Sequence, residues 1–343
     1  MPDVSAIVVN YRSSAEAQTA AGSLRRGFAE SNLAGEIILV DCGSGAQEVS
    51  RLEAVDSDRL VSIENRGYSG GVNAGIAASR SPILLLCNAD IEMSPGAVRP
   101  LVDAVRRPGI GAAAPVQHAD PGGRILLPTG FGAGFGRDFA QTIGPERFGA
   151  PARFARHARS QWRLWQSGGA AEYLAGSILV TRRDVLDRVG RFDEGFPFEY
   201  EETEWEDRLR RAGFELRVVA ESRARHAAGT SAARNPETAR IRFRSRALYR
   251  RRRYGRLGRA VLAWAESRAS RSVGYPPAPP SFEARPEFAL AVSPNPTLLP
   301  FAGMALDRPV SASWLTDLLR APLYARAFRI RDGEPGAVEA VGA

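Results

Sequence analysis

Residues 83–90 read Ile-Leu-Leu-Leu-Cys-Asn-Ala-Asp. Five apolar residues in a row suit a strand buried on both faces, and they stop abruptly at an amide and a carboxylate. A strand that ends this way either turns into a solvated loop, where Asn and Asp are common, or delivers those oxygens to something. Upstream, the chain alternates the same kind of run with helical segments. Val4 to Val9 and Glu36 to Val40 read as strands, Leu60 to Ile63 as a third, and Ile83 to Cys87 as the fourth. Ser13 to Phe28, with Ser at its start, and the small-residue stretch Gly70 to Ser79 read as the helices between them. Continuous apolar strands alternating with helices predict an α/β fold with a mostly parallel sheet covered on both faces. In such sheets ligands bind beyond the carboxyl ends of the strands. Asn10-Tyr11, Asp41 and Asn88-Ala89-Asp90 all fall at those ends.

The composition of the 343 residues, 44% hydrophobic and 24% charged, is that of a globular protein with a sizeable core. No apolar run approaches the roughly 20 residues that span a bilayer, and Met1-Pro2-Asp3-Val4 lacks the pattern of a signal peptide. A cytoplasmic location is expected, with Cys42 and Cys87 as small buried thiols and not a disulfide. All 46 basic residues are Arg, and the net charge is +8. Such a balance favours anionic partners.

Residues 118–171 are rich in Gly, Pro and Arg, include Gly130 to Gly136 (GFGAGFG), and read as an insertion acting as a lid or acceptor loop. Tyr173 to Thr181 and Glu215 to Val219 return to strand. The expected divisions are residues 1–235 as the main domain, 236–270 as a basic helical extension and 271–343 as a Pro-rich, loosely packed tail in which only Ser313 to Ala325 looks helical. Arg at 240, 242, 244, 246, 250 to 253, 256 and 259 interleaves with Ile241, Phe243, Leu248 and Tyr249. That basic helix over 236–259 is either a solvated surface or a contact with anionic lipid headgroups or a lipid-pyrophosphate acceptor. It lacks the aromatic signature of RNA binding, and no nucleic-acid partner is expected.

Residues 191–213 crowd carboxylates together: Glu199, Glu201, Glu202, Glu204, Glu206 and Asp207. Acidic residues in a first helical turn suit the helix dipole, and Glu206 and Asp207 are spaced to pair with Arg210 and Arg211. Glu201, Glu202 and Glu204 are less well explained that way. A carboxylate at the mouth of a sheet is a natural general base. Asp90 offers oxygen to a hard cation, and His226 follows a strand, placed either to complete a metal site or to serve structure alone.

Six blocks in this order, SAIVVNYRS, EIILVDCGSG, ENRGYSGGVNAGI, ILLLCNADIEM, YLAGSILVTRRDVLDRVGRFDEGF and YEETEWEDRLRRAGFELRVV with the later Arg-His, resemble the family 2 glycosyltransferases over residues 4 to 256. The nearest branch is the rhamnosyltransferase-like one of cell-wall polysaccharide synthesis, with a GT-A fold. The resemblance implies an inverting transfer from a nucleotide-diphosphate sugar to a saccharide or lipid-linked saccharide acceptor, assisted by Mg²⁺ or Mn²⁺. Donor contacts then fall to Asn10, Tyr11, Asp41, Asn65, Arg66, Gly67, Asn88 and Gly176. Asp90 and His226 match the metal-binding positions, and Glu202 the catalytic base, with Glu201 beside it. Two departures stand out: Glu202 replaces the commoner Asp, and Asn88 leaves one carboxylate fewer at the metal. The inner face of the cytoplasmic membrane is a second expected location, through the basic helix. Two rival functions are a methyltransferase using S-adenosylmethionine, suggested by Val40-Asp41-Cys42-Gly43-Ser44-Gly45, and a basic nucleic-acid-binding protein. Both leave the strand-end oxygens and the Glu201–Glu204 cluster without a task.

Overall fold

A computed structural model describes residues 1–130, 134–143, 150–226, 238–269, 281–293, 302–319 and 324–329. Part of GFGAGFG (131–133), the start of the basic helix (236–237) and parts of the tail lie outside the described residues. The chain forms two compact units, Met1–Gln117 with Ser167–Arg250, and His118–Gln166 with Arg251–Ala343.

The first unit is built on one sheet. Its strands are β1 (Val4–Asn10), β2 (Gly35–Cys42), β3 (Arg59–Ile63), β4 (Ile83–Asn88), β5 (Ile91–Met93), β6 (Ile110–His118), β7 (Gly169–Ala171), β8 (Ile178–Arg182) and β9 (Glu215–His226). The spatial order is β3-β2-β1-β4-β8-β6-β9-β5, with β7 also on β9. Pairing is parallel across β3-β2-β1-β4, as the strand-helix alternation predicts. It is antiparallel where β8 meets β4 and β6, and where β5 and β7 meet β9. Strand β8 is shorter than the expected Tyr173–Thr181, and β9 runs on to His226.

Alternate residues of β1 bury against different helices. Val4, Ala6 and Val8 pack with Ala17, Ala20 and Leu24 of the Ser14–Glu30 helix. Ile7 and Val9 face the Gly67–Ala78 helix, where small residues permit close approach: a Cβ on Gly75 would fall 2.2 Å from an Ile7 methyl, and one on Gly71 2.6 Å from Val9. The core side chains here are worth about 1.5–3 kcal/mol each. The Ser cap expected for the Ser14–Glu30 helix takes another form. Ser13 sits at the N-cap without a side-chain cap hydrogen bond, and the Ser14 N–H donates to Glu48 Oε1 at 2.7 Å.

The second unit contains more order than its composition suggests. The insertion forms helices Phe135–Ile143 and Ala150–Ser167. The tail adds β10 (Ser281–Phe282), β11 (Phe288–Ser293), β12 (Ala302–Ala305), β13 (Val310–Ser311) and β14 (Tyr324–Arg329), with an Ala312–Leu319 helix. Strands β12-β11-β14 form an antiparallel sheet. Leu290, Val292, Met304 and Leu315 share a buried cluster with Ile125 and Phe282. The described residues of the tail are thus packed and not loose, while the rest of it lies outside the described residues. The reason is local: the Pro-rich segments flank short apolar runs that bury completely.

Candidate functional site

The ends of β1 and β2 carry a closed polar network. Asn10 Nδ2 donates to Asp41 Oδ1 at 3.0 Å, and Asn10 Oδ1 accepts the Ser13 N–H at 3.1 Å. Asp41 Oδ2 accepts the Ser44 N–H at 3.0 Å. Asn10 and Asp41 are 0% and 1% exposed. Parallel register places them opposite one another.

In front of them is a cavity of about 610 Å³. Its lining includes Tyr11, Asn65, Arg66, Gly67 and Asn88 from the expected donor set. The Asn65-Arg66-Gly67 turn is shaped by its own contacts: Asn65 Oδ1 accepts the Gly67 N–H at 3.0 Å, and Arg66 pairs with Glu194 at 3.0 Å. Gly67 has φ +77°, and a Cβ there would fall 2.1 Å from the Pro197 carbonyl oxygen, so only glycine fits. Pro197, Phe198 and Ile241 close the cavity from the later part of the chain. Cys42 reaches it too, its thiol pushed up by burial to about 12 and therefore held protonated. Both Cys42 and Cys87 are free and buried, as expected.

The acidic cluster opens the Glu201–Arg211 helix. Two residues before it, Glu199 and Tyr200, take positive φ, 58° and 70°. That turn drops Glu201 and Glu202 into the interior, where they are 5% and 8% exposed. Burial raises the Glu201 carboxyl well above its ordinary range, with Glu202 and Glu199 adding to the effect. Burial also pushes Glu202 up, to about 7, with Glu199 adding. Among the described residues, Glu201 Oε2 and Glu202 Oε2 are buried without a hydrogen-bond partner. Asp207 behaves as the sequence suggests, pairing with Arg210 and also accepting Tyr249 Oη at 2.8 Å. Glu206 differs: its Oε1 accepts the Leu174 N–H at 3.0 Å, and burial raises its carboxyl.

Gly176 stands against Glu202. A Cβ on Gly176 would fall 2.8 Å from Glu202 Cγ. The Gly176 carbonyl accepts the Tyr68 hydroxyl at 3.1 Å. Burial raises the Tyr68 phenol, and the charges of Cys87, Glu201, Glu202 and Asp90 push it the same way. One side chain thus senses the strand end at Asp90 and the helix start at Glu202. Sequence reasoning missed Tyr68, although it directly follows the Asn-Arg-Gly turn. It also passed over Glu194, which holds Arg66 and accepts Asn73 Nδ2 at 3.0 Å.

Asp90 and His226 are joined by the sheet. Strand β5 pairs with the end of β9, Ile91 opposite His226. His226 Nε2 is 3.4 Å from Asp90 Oδ1. An oxygen and an imidazole nitrogen at this separation suit adjacent ligands of one small divalent cation. Among the described residues no group of three or more His, Cys, Asp or Glu side chains is placed to hold a metal.

Residues 5–144 match the family model Glycosyl transferase family 2. This chain carries a family 2 glycosyltransferase domain. The glycosyltransferase is 28% identical over 236 residues to N-acetylglucosaminyl-diphospho-decaprenol L-rhamnosyltransferase of two Mycobacterium tuberculosis strains, covering 62% of this chain and 74% of the relative. Among solved structures it is similar to GalNAc-T7 with UDP, GalNAc and Mn²⁺, at 14% identity and a TM-score of 0.48, covering 66% of this chain and 44% of that one. A mannosyltransferase of Pyrobaculum calidifontis in complex with GDP-Man and Mn²⁺ matches at 17% identity and a TM-score of 0.46, covering 78% and 73%. The α/β sheet with helices on both faces is the architecture expected of this glycosyltransferase.

Proposed function

We propose that this glycosyltransferase moves a sugar, L-rhamnose in the first instance, from a nucleoside-diphosphate donor to a hydroxyl of a saccharide or lipid-linked saccharide, inverting the anomeric configuration and using Mg²⁺ or Mn²⁺. The sugar and the lipid-linked acceptor are suggested by the mycobacterial relative. The observation that carries the assignment is the Glu202 carboxylate, buried beside Gly176 with one oxygen unengaged among the described residues. Its pKa near 7 suits a general base at neutral pH.

In the proposed reaction the cavity lined by Tyr11, Asn65, Arg66, Gly67 and Asn88 receives the nucleoside diphosphate. Asn10 and Asp41 act from behind, fixing the ends of β1 and β2. Asp90 and His226 would hold the divalent cation. Charge neutralisation on the departing diphosphate is what a bound cation supplies there. Glu202 takes the proton of the acceptor hydroxyl as its oxygen attacks the anomeric carbon from the face opposite the leaving group. Glu201 is the alternative base on the same turn. The insertion 118–171 is the proposed acceptor loop. The exposed face of the basic helix, where Phe243 is 71% exposed among arginines, is the proposed contact with an anionic membrane surface. No helix among the described residues is long and apolar enough to cross a membrane.

The decisive experiment uses purified Glu202→Gln. A panel of nucleoside-diphosphate sugars with Mn²⁺ should raise its melting temperature as it does for the wild type, while transfer to N-acetylglucosaminyl-diphospho-prenol falls by about 10²–10⁴-fold. Transfer at the wild-type rate would remove Glu202 from the role and turn attention to Glu201. A thermal response to S-adenosylmethionine in place of sugar nucleotide would overturn the whole assignment.

A further inference from the structure

The Thr238–Arg253 helix lies against the turn that feeds the base-bearing helix. Ser245, 1% exposed, donates its hydroxyl to the Phe198 carbonyl at 2.8 Å. Arg242 Nη2 is 2.7 Å from Glu199 Oε1. The Tyr249 ring packs 5.2 Å from the Tyr200 ring, and its hydroxyl donates to Asp207 within the helix that follows the turn. Ile241, Ser245 and Tyr249 are four residues apart and share one stripe of the helix. Three successive residues of the turn, Phe198, Glu199 and Tyr200, are therefore each engaged by a different side chain of one helix.

The segment so held is one that a free chain would leave. Glu199 and Tyr200 both occupy the left-handed region, which costs energy for residues with a side chain. Such backbone persists where the surroundings over-determine it. Glu201 and Glu202 follow at once, so the direction of the Glu202 carboxylate is set by how this turn is held. Phe198 and Ile241 also line the cavity, which ties the helix to the same site.

We propose that Arg242, Ser245 and Tyr249 are positioning residues, holding the Phe198–Tyr200 turn so that Glu202 is aimed at the acceptor hydroxyl. The inference rests on Glu202 being the base. A misplacement of about 1 Å costs on the order of 10²-fold in rate. Partial release of the turn should cost less than that. The Arg242–Glu199 pair is itself half exposed, with side chains 53% and 36% accessible, and such pairs add little to stability. A loss of rate on breaking it would therefore not be a loss of fold. The charged and titratable groups that bear on Glu202 are Glu199, Glu201, Glu206 and Tyr68. Of these, Glu199 is the one the helix controls.

The test is steady-state kinetics of the full chain, with the donor that scores in the thermal panel and N-acetylglucosaminyl-diphospho-prenol as acceptor. Arg242→Ala is expected to lower kcat about 10-fold with donor KM within about 2-fold of wild type. Arg242→Lys should recover most of the rate. Glu199→Gln combined with Arg242→Ala should be no slower than Arg242→Ala alone, because the two residues act as one unit. Glu199→Gln alone should move the acidic limb of the kcat/KM profile to lower pH, since Glu199 helps to raise Glu202. Tyr249→Phe keeps the ring on Tyr200 and so guards against a variant that fails to fold, but it frees Asp207 of the base-bearing helix from the Tyr249 hydroxyl, and should lower kcat about 3-fold. Wild-type kcat in both Arg242→Ala and Tyr249→Phe would overturn the proposal. So would a fall in rate matched by an equal rise in donor KM, or one that Lys does not rescue. If Glu202→Gln is inactive while Arg242→Ala is normal, only the positioning role fails. If Glu202→Gln is fully active, the base assignment beneath it fails.

Discussion

Two polar regions of the first unit treat their oxygens in opposite ways. At the ends of β1 and β2, Asn10, Asp41, Ser13 and Ser44 satisfy one another. At the start of the Glu201–Arg211 helix, Glu201, Glu202 and Glu206 each keep a buried oxygen without a hydrogen-bond partner among the described residues. A satisfied network stiffens a scaffold, whereas a buried polar atom without a partner is costly and needs a reason. On the proposed function the first region serves as framework and the second supplies the base, and the expectation that Asn10 and Asp41 touch the donor directly is the alternative that the following variants test.

The contrast is broken if both regions respond alike to substitution. Glu202→Gln should have the largest effect on rate, a loss of about 10²–10⁴-fold, with folding intact. Gly176→Ala comes next. Its new methyl displaces Glu202 by contact at 2.8 Å, and kcat measured with saturating donor should fall by up to about 10²-fold. Asp41→Ala should act mainly on stability. It leaves Asn10 Nδ2 and the Ser44 N–H short of an acceptor, at a cost of about 1–3 kcal/mol in urea unfolding. A large fall in rate with unchanged stability would favour the alternative, in which Asp41 touches the donor directly.

The pH dependence sharpens the same contrast. A base must be ionised, so kcat/KM should fall as pH drops through about 7, where Glu202 takes up its proton. Stability should run the other way. The folded Glu202 carboxyl titrates higher than its ordinary 4.5. The stability linked to its protonation is present below that ordinary value and lost as pH rises through about 7. In urea titrations the wild type should thus be less stable at pH 8.5 than at pH 4.5 through this group, by up to about 3 kcal/mol. Glu202→Gln should lack that portion of the slope. The smallest effect is expected far from both regions: Arg25→Ala, which breaks exposed pairs with Asp56 and Asp58, should change unfolding free energy by less than about 1 kcal/mol.

The parallel half of the sheet was legible because β1, β2 and β4 are near-continuous apolar runs, buried on both faces, whose polar ends advertise themselves. The carboxylates of the helix start were legible as a cluster, and Glu202 was singled out by resemblance. What was not legible depends on contacts distant in sequence. That Ile91 lies opposite His226 is a strand pairing across more than a hundred residues, and no local pattern announces it. The mutual satisfaction of Asn10 and Asp41 is invisible until β1 and β2 are side by side. The strands of the tail are two to six residues long and flanked by Pro-rich stretches, so their burial outran their periodicity. The helix Ala150–Ser167 was hidden by arginines, although Trp162 and Trp165 hinted at a packed face.

The Gly67–Ala78 helix rides on Ile7 and Val9 with no room for a methyl at Gly71 or Gly75. Its first turn carries Gly67 and Tyr68, so this part of the cavity wall is held against the sheet by an approach that only glycine permits. A laboratory search for altered donor choice should therefore accumulate changes elsewhere in the lining, at Asn65, Arg66, Phe198 and Ile241, while the two glycines stay silent through every round.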